Sequence, residues 1–169
     1  VLELGGNMDF AALSSRTGRL IPEDRSVLID KLRQLKSEFS SQRSVHLTLV
    51  QLLAQNGNFE EALTELESLK DDMELTPNMV MLESQILLNM ERPQRARRVM
   101  RSGVARFEDD TTLRLGYARM LIQDEEYELA QQQFQILVEN NPQDWETLYS
   151  IALLDTQLQN FDRAIAGYT

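Results

Sequence analysis

The sequence predicts an all-α protein made of stacked helical hairpins. Ala62, Ala96, Ala130 and Ala164 form a series whose members are evenly spaced along the chain. Between them, apolar residues follow the three- and four-residue spacing of amphipathic helices. Glycine and proline are scarce, with 7 and 4 in 169 residues, which favours long helices over a turn-rich β fold. The spacing of the alanines, which we call the period, is about 34 residues and is typical of a helix–turn–helix repeat.

The residues around each alanine keep the same register. The position three residues earlier holds Phe59, Pro93, Tyr127 or Phe161, and the position four residues later holds Leu66, Met100, Phe134 or Tyr168. A small side chain lets the two helices of a hairpin approach closely, and the bulky side chain one turn later fills the space beyond. One hairpin cannot cover its own apolar face, so successive hairpins must stack.

The helices of these hairpins follow in order along the chain. The pattern predicts helices at 44–56, 59–72, 77–90, 93–106, 111–124, 127–140, 144–158 and 161–169. Pro77 suits an early helical position, Gly57 and Asn58 form the first turn within a hairpin, and Pro142 lies in a break. We therefore expect four repeats, at 44–77, 78–111, 112–145 and 146–169, the last of them truncated.

The N-terminal segment, 1–43, departs from this pattern. Residues 22–39 carry apolar side chains at the spacing of an amphipathic helix. These side chains are Val27, Leu28, Leu32, Leu35 and Phe39. The position one period before Ala62 holds Leu28 rather than alanine. We interpret residues 1–43 as either an N-terminal degenerate repeat or capping helices. Residues 22–39 are then a degenerate repeat or the second helix of a preceding hairpin, with a short partner helix at 9–15.

The third repeat carries a recognisable set of residues. Its two helices hold Arg114, Tyr117, Ala118, Leu121, Ala130 and Phe134, and Pro142 follows them. With these residues the chain resembles the tetratricopeptide repeat (TPR) family over residues 44–169. The resemblance implies a right-handed superhelical solenoid of helix–turn–helix repeats. Glu83 and Asp155 depart from the family pattern, which has apolar residues at their places.

The same resemblance implies a binding surface. TPR proteins usually hold partners along a concave groove formed by the first helices, that is, by the first of the two helices in each hairpin. The family positions that face this groove include Thr48 and a set that we call the eight groove residues, namely Leu47, Gln51, Met81, Gln85, Leu115, Arg119, Tyr149 and Leu153. Arg119 is the only cation among them, so the Lys/Asn/Arg clamp of chaperone-binding members is missing. Apolar and amide side chains suit an extended or helical protein segment, unless the superhelix itself covers several of these residues.

Composition offers little support for catalysis or for other kinds of ligand. His46 is the only histidine and there is no cysteine, so acid–base pairs and nitrogen or sulfur metal sites lack members. We predict that His46 packs against its neighbours and that the protein is not an enzyme, with no cofactor and no metal. The net charge of −10 argues against nucleic acid, and no apolar run is long enough to span a membrane.

Charge is distributed unevenly among the second helices. Residues 59–72 contain Glu60, Glu61, Glu65, Glu67, Asp71 and Asp72 against Lys70, whereas 93–106 contain Arg95, Arg97, Arg98, Arg101 and Arg106 and no acidic residue. We favour charge complementarity between successive repeats over a basic docking stripe, because acidic helices on both flanks would repel a polyanion.

The leading function is therefore a non-enzymatic scaffold or adaptor that binds a protein or peptide. The alternatives are a regulatory or substrate-docking arm of a larger enzyme and a self-assembly module; the oligomeric state is open. A weaker resemblance links residues 113–164 to long bacterial TPR proteins, such as the lipoprotein adaptor of a periplasmic carboxyl-terminal processing protease. That resemblance implies a periplasmic or outer-membrane location, with the cytoplasm as the alternative, and both ends of the chain are expected to continue into a longer protein.

Overall fold

Eight α-helices and no strand make up the residues that the structure, a computed structural model, describes, namely 22–38 and 43–158. The helices are α1 (Pro22–Glu38), α2 (Arg43–Gln55), α3 (Phe59–Asp72), α4 (Pro77–Asn89), α5 (Pro93–Arg106), α6 (Thr111–Gln123), α7 (Tyr127–Asn140) and α8 (Trp145–Gln157). The predicted all-α, TPR-type helical fold is confirmed. None of these eight helices is both long and apolar enough to cross a membrane.

The predicted helix bounds agree closely with the structure. Seven helices predicted between residues 44 and 158 are present, and none of their ends differs by more than one residue. The helices predicted at 9–15 and 161–169 lie outside the described residues. Hydrophobic periodicity therefore located the helices well, because each of them has one apolar face to bury.

Three first helices begin at capping residues that recur with the period of the alanines. Thr76 precedes α4, Asp110 precedes α6 and Asp144 precedes α8, and each side chain accepts a hydrogen bond from the first turn. The backbone N–H of Leu113, for example, lies 2.7 Å from Asp110 Oδ1. These caps satisfy N–H groups that a helix leaves without partners at its N-terminus.

The turns of the first three repeats, which the structure describes, each have one residue with a left-handed backbone. These residues are Gly57 (φ 84°), Glu91 (φ 57°) and Glu125 (φ 61°), again one period apart. Glycine adopts this conformation without steric conflict, whereas a residue with a Cβ loses roughly 1–2 kcal/mol there. Two of the three turns are therefore strained where the first is not.

The chain divides into two compact units between Pro93 and Gln94. In the first unit α2 packs against α1, α3 and α4, and α3 also contacts α4. In the second unit α7 contacts both α6 and α8. The division falls between the two helices of the predicted second repeat, so the compact units and the predicted repeats have different borders. The repeat borders themselves stay a prediction.

The three alanines of the periodic series that the structure describes are buried, whereas Ala164 lies outside the described residues. Ala62, Ala96 and Ala130 are fully inaccessible to solvent. Their bulky neighbours one turn later, Leu66, Met100 and Phe134, are at most 3% exposed. This burial agrees with the steric role predicted for the small residue, which stays a prediction.

Helix α1 has the burial pattern of a second helix. Ile29 and Leu32 are 3% and 1% exposed, and the residues one period later, Leu63 and Leu66, are buried as well. This favours the interpretation of α1 as the second helix of a preceding hairpin. The expectation that Val27 lies on the same apolar face is wrong, because Val27 is 59% exposed. It stands two residues before Ile29, about 200° around the helix.

The two residues that depart from the family pattern are buried and hydrogen-bonded. Glu83 accepts a hydrogen bond from Lys70 Nζ at 2.7 Å, and Asp155 accepts one from Gln131 Nε2 at 2.6 Å. Glu83 is 6% exposed and Asp155 is 3% exposed. A polar partner on the preceding second helix therefore replaces the apolar contact, which makes burial of a carboxylate tolerable.

Candidate protein-binding surface

In the first unit the predicted groove residues reach the solvent on two adjacent helices. Leu47 and Gln51 are half-buried on α2, and Met81 and Gln85 are exposed on α4. Since α2 and α4 contact each other, both pairs belong to neighbouring first helices. Within each helix, the apolar residue and the glutamine are one turn apart and lie on one face.

In the second unit the predicted residues are also accessible. Leu115 is half-buried and Arg119 is exposed on α6. Tyr149 and Leu153 are 48% and 45% exposed on α8. Both helices contact α7, and these four side chains are half-buried or exposed.

Thr48 does not belong to this surface. It is 3% exposed, and its hydroxyl donates a hydrogen bond to the backbone carbonyl of Ser44 at 2.8 Å. The family correspondence that placed it in the groove is wrong for this residue, because a step of one residue turns about 100° around a helix. That step carries the side chain from the accessible face at Leu47 into the core.

His46 is buried between the two helices of the first repeat. It is 9% exposed, and its Nδ1 lies 2.9 Å from Glu65 Oε1. The predicted packing role is therefore confirmed, with the addition of a polar partner. Among the described residues, no three histidine or acidic side chains lie close enough together to hold a metal ion.

The third repeat has a polar pair at the places equivalent to His46 and Glu65. Arg114 and Gln133 stand two periods further along the chain. Arg114 Nη1 donates to Gln133 Oε1 at 2.9 Å, and Nη2 donates to the backbone carbonyl of Glu108 at 2.8 Å. Arg114 is only 6% exposed, and its Nε is buried without a hydrogen-bond partner.

Ion pairs connect the basic and acidic segments within each unit. Arg97 lies 3.4 Å from Asp124 and 3.2 Å from Glu126. Arg92 lies 3.2 Å from Glu60 in the first unit. These contacts support the predicted charge complementarity between successive repeats. Each exposed pair contributes about 0–1 kcal/mol at most, so together they fix register more than stability.

A further ion pair joins α1 to α3. Arg33 donates three hydrogen bonds to Glu61 carboxylate oxygens, at 2.7, 2.8 and 3.0 Å. The hydrogen bonds that Arg33 donates to Glu61, and secondarily to Asp30, raise the pKa of Arg33 above its ordinary value. This guanidinium is occupied and is a poor candidate for partner binding.

Sequence reasoning missed a cleft of about 660 Å³ in the second unit, lined by α5, α6, α7 and the loop before α6. Arg101 and Arg114 contribute to its lining, as does Tyr117. Burial raises the pKa of Tyr117, although the positive charges of Arg101 and Arg97 act in the opposite direction. The available signal was Arg114 itself, a cation at a place where the repeat pattern puts a large packing residue.

Comparison with known proteins agrees with this fold. A family model described as ChAPs (Chs5p-Arf1p-binding proteins) matches residues 33–167. Among curated proteins, no sequence matches this chain. The predicted relation to bacterial lipoprotein adaptors stays a prediction.

Several solved structures have a similar fold. MamA aligns with a TM-score of 0.72 at 13% identity, covering 96% of this chain and 92% of its own. YrrB, a TPR protein with an unusual peptide-binding site, aligns with a TM-score of 0.64 at 14% identity, covering 94% and 80%. A tetratricopeptide repeat protein from Parabacteroides merdae aligns with a TM-score of 0.70 at 13% identity, covering 94% and 64%. At such identities the likeness concerns the fold alone.

Proposed function

The chain belongs to the ChAPs, the Chs5p-Arf1p-binding proteins, and we propose that it is an adaptor that binds other proteins through the accessible faces of its first helices. The family is named for proteins that bind Chs5p and Arf1p, so counterparts of these two proteins are the first candidate partners. The observation that carries the proposal is that all eight groove residues reach the solvent, although their helices also supply much of the core.

The first unit supports this proposal because α2 and α4 each have one buried face and one face that is accessible to solvent. On α2, Val45, Leu49, Val50, Leu52 and Leu53 are at most 2% exposed, so the helix is anchored. Leu47 and Gln51 remain accessible beside them. On α4, Met81 and Gln85 have the same spacing and are exposed. A partner segment could bury apolar groups on Leu47 or Met81 and form hydrogen bonds with the neighbouring amides.

The second unit offers the strongest single anchor. Tyr149 is 48% exposed, and Leu153, one turn later, is 45% exposed. An accessible apolar pair of this size can be covered by a partner without any change in the core. Tyrosine is favoured at binding hot spots because it joins a large apolar ring to a hydroxyl.

The proposal contains no catalytic step. His46 is held against Glu65 and is largely inaccessible, so it cannot meet a substrate in this conformation. The sequence offers no second histidine and no cysteine. Binding, rather than proton transfer, is what this surface can do.

The test is a binding titration of the full chain against purified counterparts of Chs5p and Arf1p. We expect Tyr149→Ala to weaken binding by about 1–2 kcal/mol, because truncation of a hot-spot tyrosine costs this much or more. Met81→Ala should have a smaller effect of the same sign. Circular dichroism should show the wild-type helix content in both variants, since both side chains are accessible.

Two exposed residues outside the predicted groove provide matched controls. Val27→Ala removes an apolar side chain that is 59% exposed on α1, and Arg98→Glu changes an exposed residue of α5. Both should bind like the wild type. Loss of binding in Arg98→Glu, with Tyr149→Ala unaffected, would place the site on the basic helix and refute the groove. A mass that rises with protein concentration would instead favour the self-assembly alternative.

A further inference from the structure

The cleft of the second unit contains a buried cation that has no acidic partner among the residues that the structure describes. The guanidinium of Arg114 is held by an amide oxygen of Gln133 and a backbone carbonyl, both of them neutral. Buried charges in proteins are normally paired, because an isolated charge loses its hydration. Arg114 is 6% exposed, and its Nε has no hydrogen-bond partner in the part of the chain that the structure describes. Two neutral acceptors therefore hold this guanidinium in place of a carboxylate.

Other features of the cleft favour the entry of a carboxylate. Arg101 is exposed on α5 and also lines the cleft, so a second cation stands on the same surface. Gln133 and Asn140 add amide groups to the lining. An arginine can receive a carboxylate through two parallel N–H groups, which gives geometric selectivity as well as energy. The volume of about 660 Å³ lies within the range of small-ligand and peptide side-chain sites.

The remainder of the lining limits the kind of anion. Glu108 and Asp109 also line the cleft and are exposed. Their charges oppose a polyanion such as nucleic acid or a run of phosphates. A single carboxylate that reaches the buried cation is compatible with them. The occupant therefore carries one negative charge at this point and not many.

Apolar side chains surround the charged groups. Val104 and Ala105 of α5 and Leu129 and Ile136 of α7 line the cleft. Leu129 is 42% exposed, which is a large apolar area to leave in water. An occupant that covers it must present apolar groups beside its carboxylate.

We propose that this cleft binds a protein segment in which one glutamate side chain is flanked by apolar side chains, with Arg114 and Arg101 receiving the carboxylate. Glutamate is favoured over aspartate because Arg114 lies deep and glutamate is longer by one methylene. The site involves α5, α6 and α7 and none of the eight groove residues. It is therefore a second binding site, independent of the proposed function.

The experiment measures the fluorescence anisotropy of a seven-residue peptide blocked at both ends, with one glutamate between leucines. The full chain should bind it at least about tenfold more tightly than the same peptide with glutamine, since a charge-assisted hydrogen bond contributes about 1.5 kcal/mol or more. A third peptide, with glutamine at the centre and a free carboxyl terminus, distinguishes a side-chain carboxylate from a terminal one. The preference for glutamate should fall as salt is added.

Two arginines of α5 supply the matched variants. Arg101→Gln should weaken glutamate-peptide binding severalfold, whereas Arg98→Gln should not, because both residues are exposed but only Arg101 lines the cleft. Arg114→Gln should reduce the glutamate preference at least about tenfold. If that variant does not fold, Arg101→Gln and the comparison of the peptides still decide the question.

Several results would overturn the proposal. They are absence of binding by all three peptides, equal affinity for glutamate and glutamine, and stronger binding of the peptide with a free terminus. Equal effects of Arg101→Gln and Arg98→Gln would also overturn it. Loss of peptide binding in Tyr149→Ala, with Arg101→Gln unaffected, would assign the peptide to the groove and leave the cleft without a role.

Discussion

The first and third repeats place a polar pair at the same two positions, but only the pair of the first repeat includes an acidic side chain. In the first, His46 faces Glu65, so a basic group meets an acidic one. In the third, Arg114 faces Gln133, so a permanent cation meets a neutral amide. Both contacts join the first helix of a hairpin to its second helix, and His46 and Arg114 are both buried. The repeat thus fixes where the side chains meet but not the charge that they carry.

The second repeat has valine at both equivalent positions, Val80 and Val99, and Val80 is 2% exposed. The same two repeat positions therefore hold an apolar pair in one repeat, a histidine and a carboxylate in another, and a cation with a neutral amide in the third. A fold that accepts all three can acquire a binding site by one substitution at a core position. The cleft beside Arg114 is where we place that change.

Substitution of His46 and of Arg114 by leucine should give the largest difference in stability between the first and third repeats. His46→Leu removes a partner from Glu65, whose side chain is only 12% exposed, and should lower the free energy of unfolding by about 1–3 kcal/mol. Arg114→Leu removes a buried charge that lacks a counter-charge, and should change stability by less than about 1 kcal/mol or increase it. Native-state amide hydrogen exchange in α2–α3 and in α6–α7 measures each repeat separately.

The comparison fails if the two leucine variants lose similar stability. In that case the neutral acceptors of Arg114 would stabilise its charge as well as Glu65 stabilises His46. Glu65→Gln is a useful third variant, since it makes the first repeat resemble the third by leaving an amide opposite the basic group. It should be less damaging than His46→Leu, because it leaves no buried carboxylate behind.

The sequence predicted the helices and the fold because burial follows the repeat period. Ala62 and Ala130 needed no structure to be assigned to the core. The charge of Arg114 was visible as well, but its lack of a counter-charge depends on which side chains face it. Gln133 and the carbonyl of Glu108 meet Arg114 only after the helices pack. The cleft could not be predicted for the same reason.

The accessible surface was only partly predictable. Leu47 and Tyr149 were assigned correctly to solvent-accessible positions by analogy with the family. Thr48 was assigned wrongly, because a difference of one residue moves a helical side chain from the surface into the core. Whether a partner covers the correct residues depends on a second molecule, about which one chain's periodicity says nothing.

Substitutions in the turns of the first and third repeats should change the free energy of unfolding by a smaller amount. Glu125 has φ 61° where the first repeat has Gly57 at φ 84°. Glu125→Gly should raise the free energy of unfolding by about 0.5–1 kcal/mol, because relief of the left-handed strain exceeds the added freedom of the unfolded chain. Gly57→Ala should lower it by about 1 kcal/mol. A Cβ at position 57 meets no atom within 4 Å, so the backbone alone causes this loss. Urea unfolding measures both changes, and a stabilising Gly57→Ala would contradict the assignment of strain.

The N-terminal caps of α4 and α8 should give the smallest difference in helix stability, and this difference should depend on pH. Thr76 caps α4 in the first unit and cannot titrate, whereas Asp144 caps α8 in the second. The hydrogen bond from the Thr147 hydroxyl to Asp144 Oδ2, 2.6 Å long, is the main cause that lowers the pKa of Asp144 below its ordinary value of 3.8. A carboxyl whose pKa is lower in the folded state adds stability above its unfolded pKa and loses that stability as the pH falls through the folded value. We therefore expect amide protection in α8 to decrease below about pH 4, with no matching change in α4.

Asp144→Asn keeps a capping oxygen but cannot ionise, so it should remove the pH dependence while largely preserving the helix. Thr147→Val should return the pKa of Asp144 toward its ordinary value in an NMR titration. An unchanged pKa in that variant would mean that the backbone N–H groups of Glu146 and Thr147, and not the hydroxyl, hold the carboxylate.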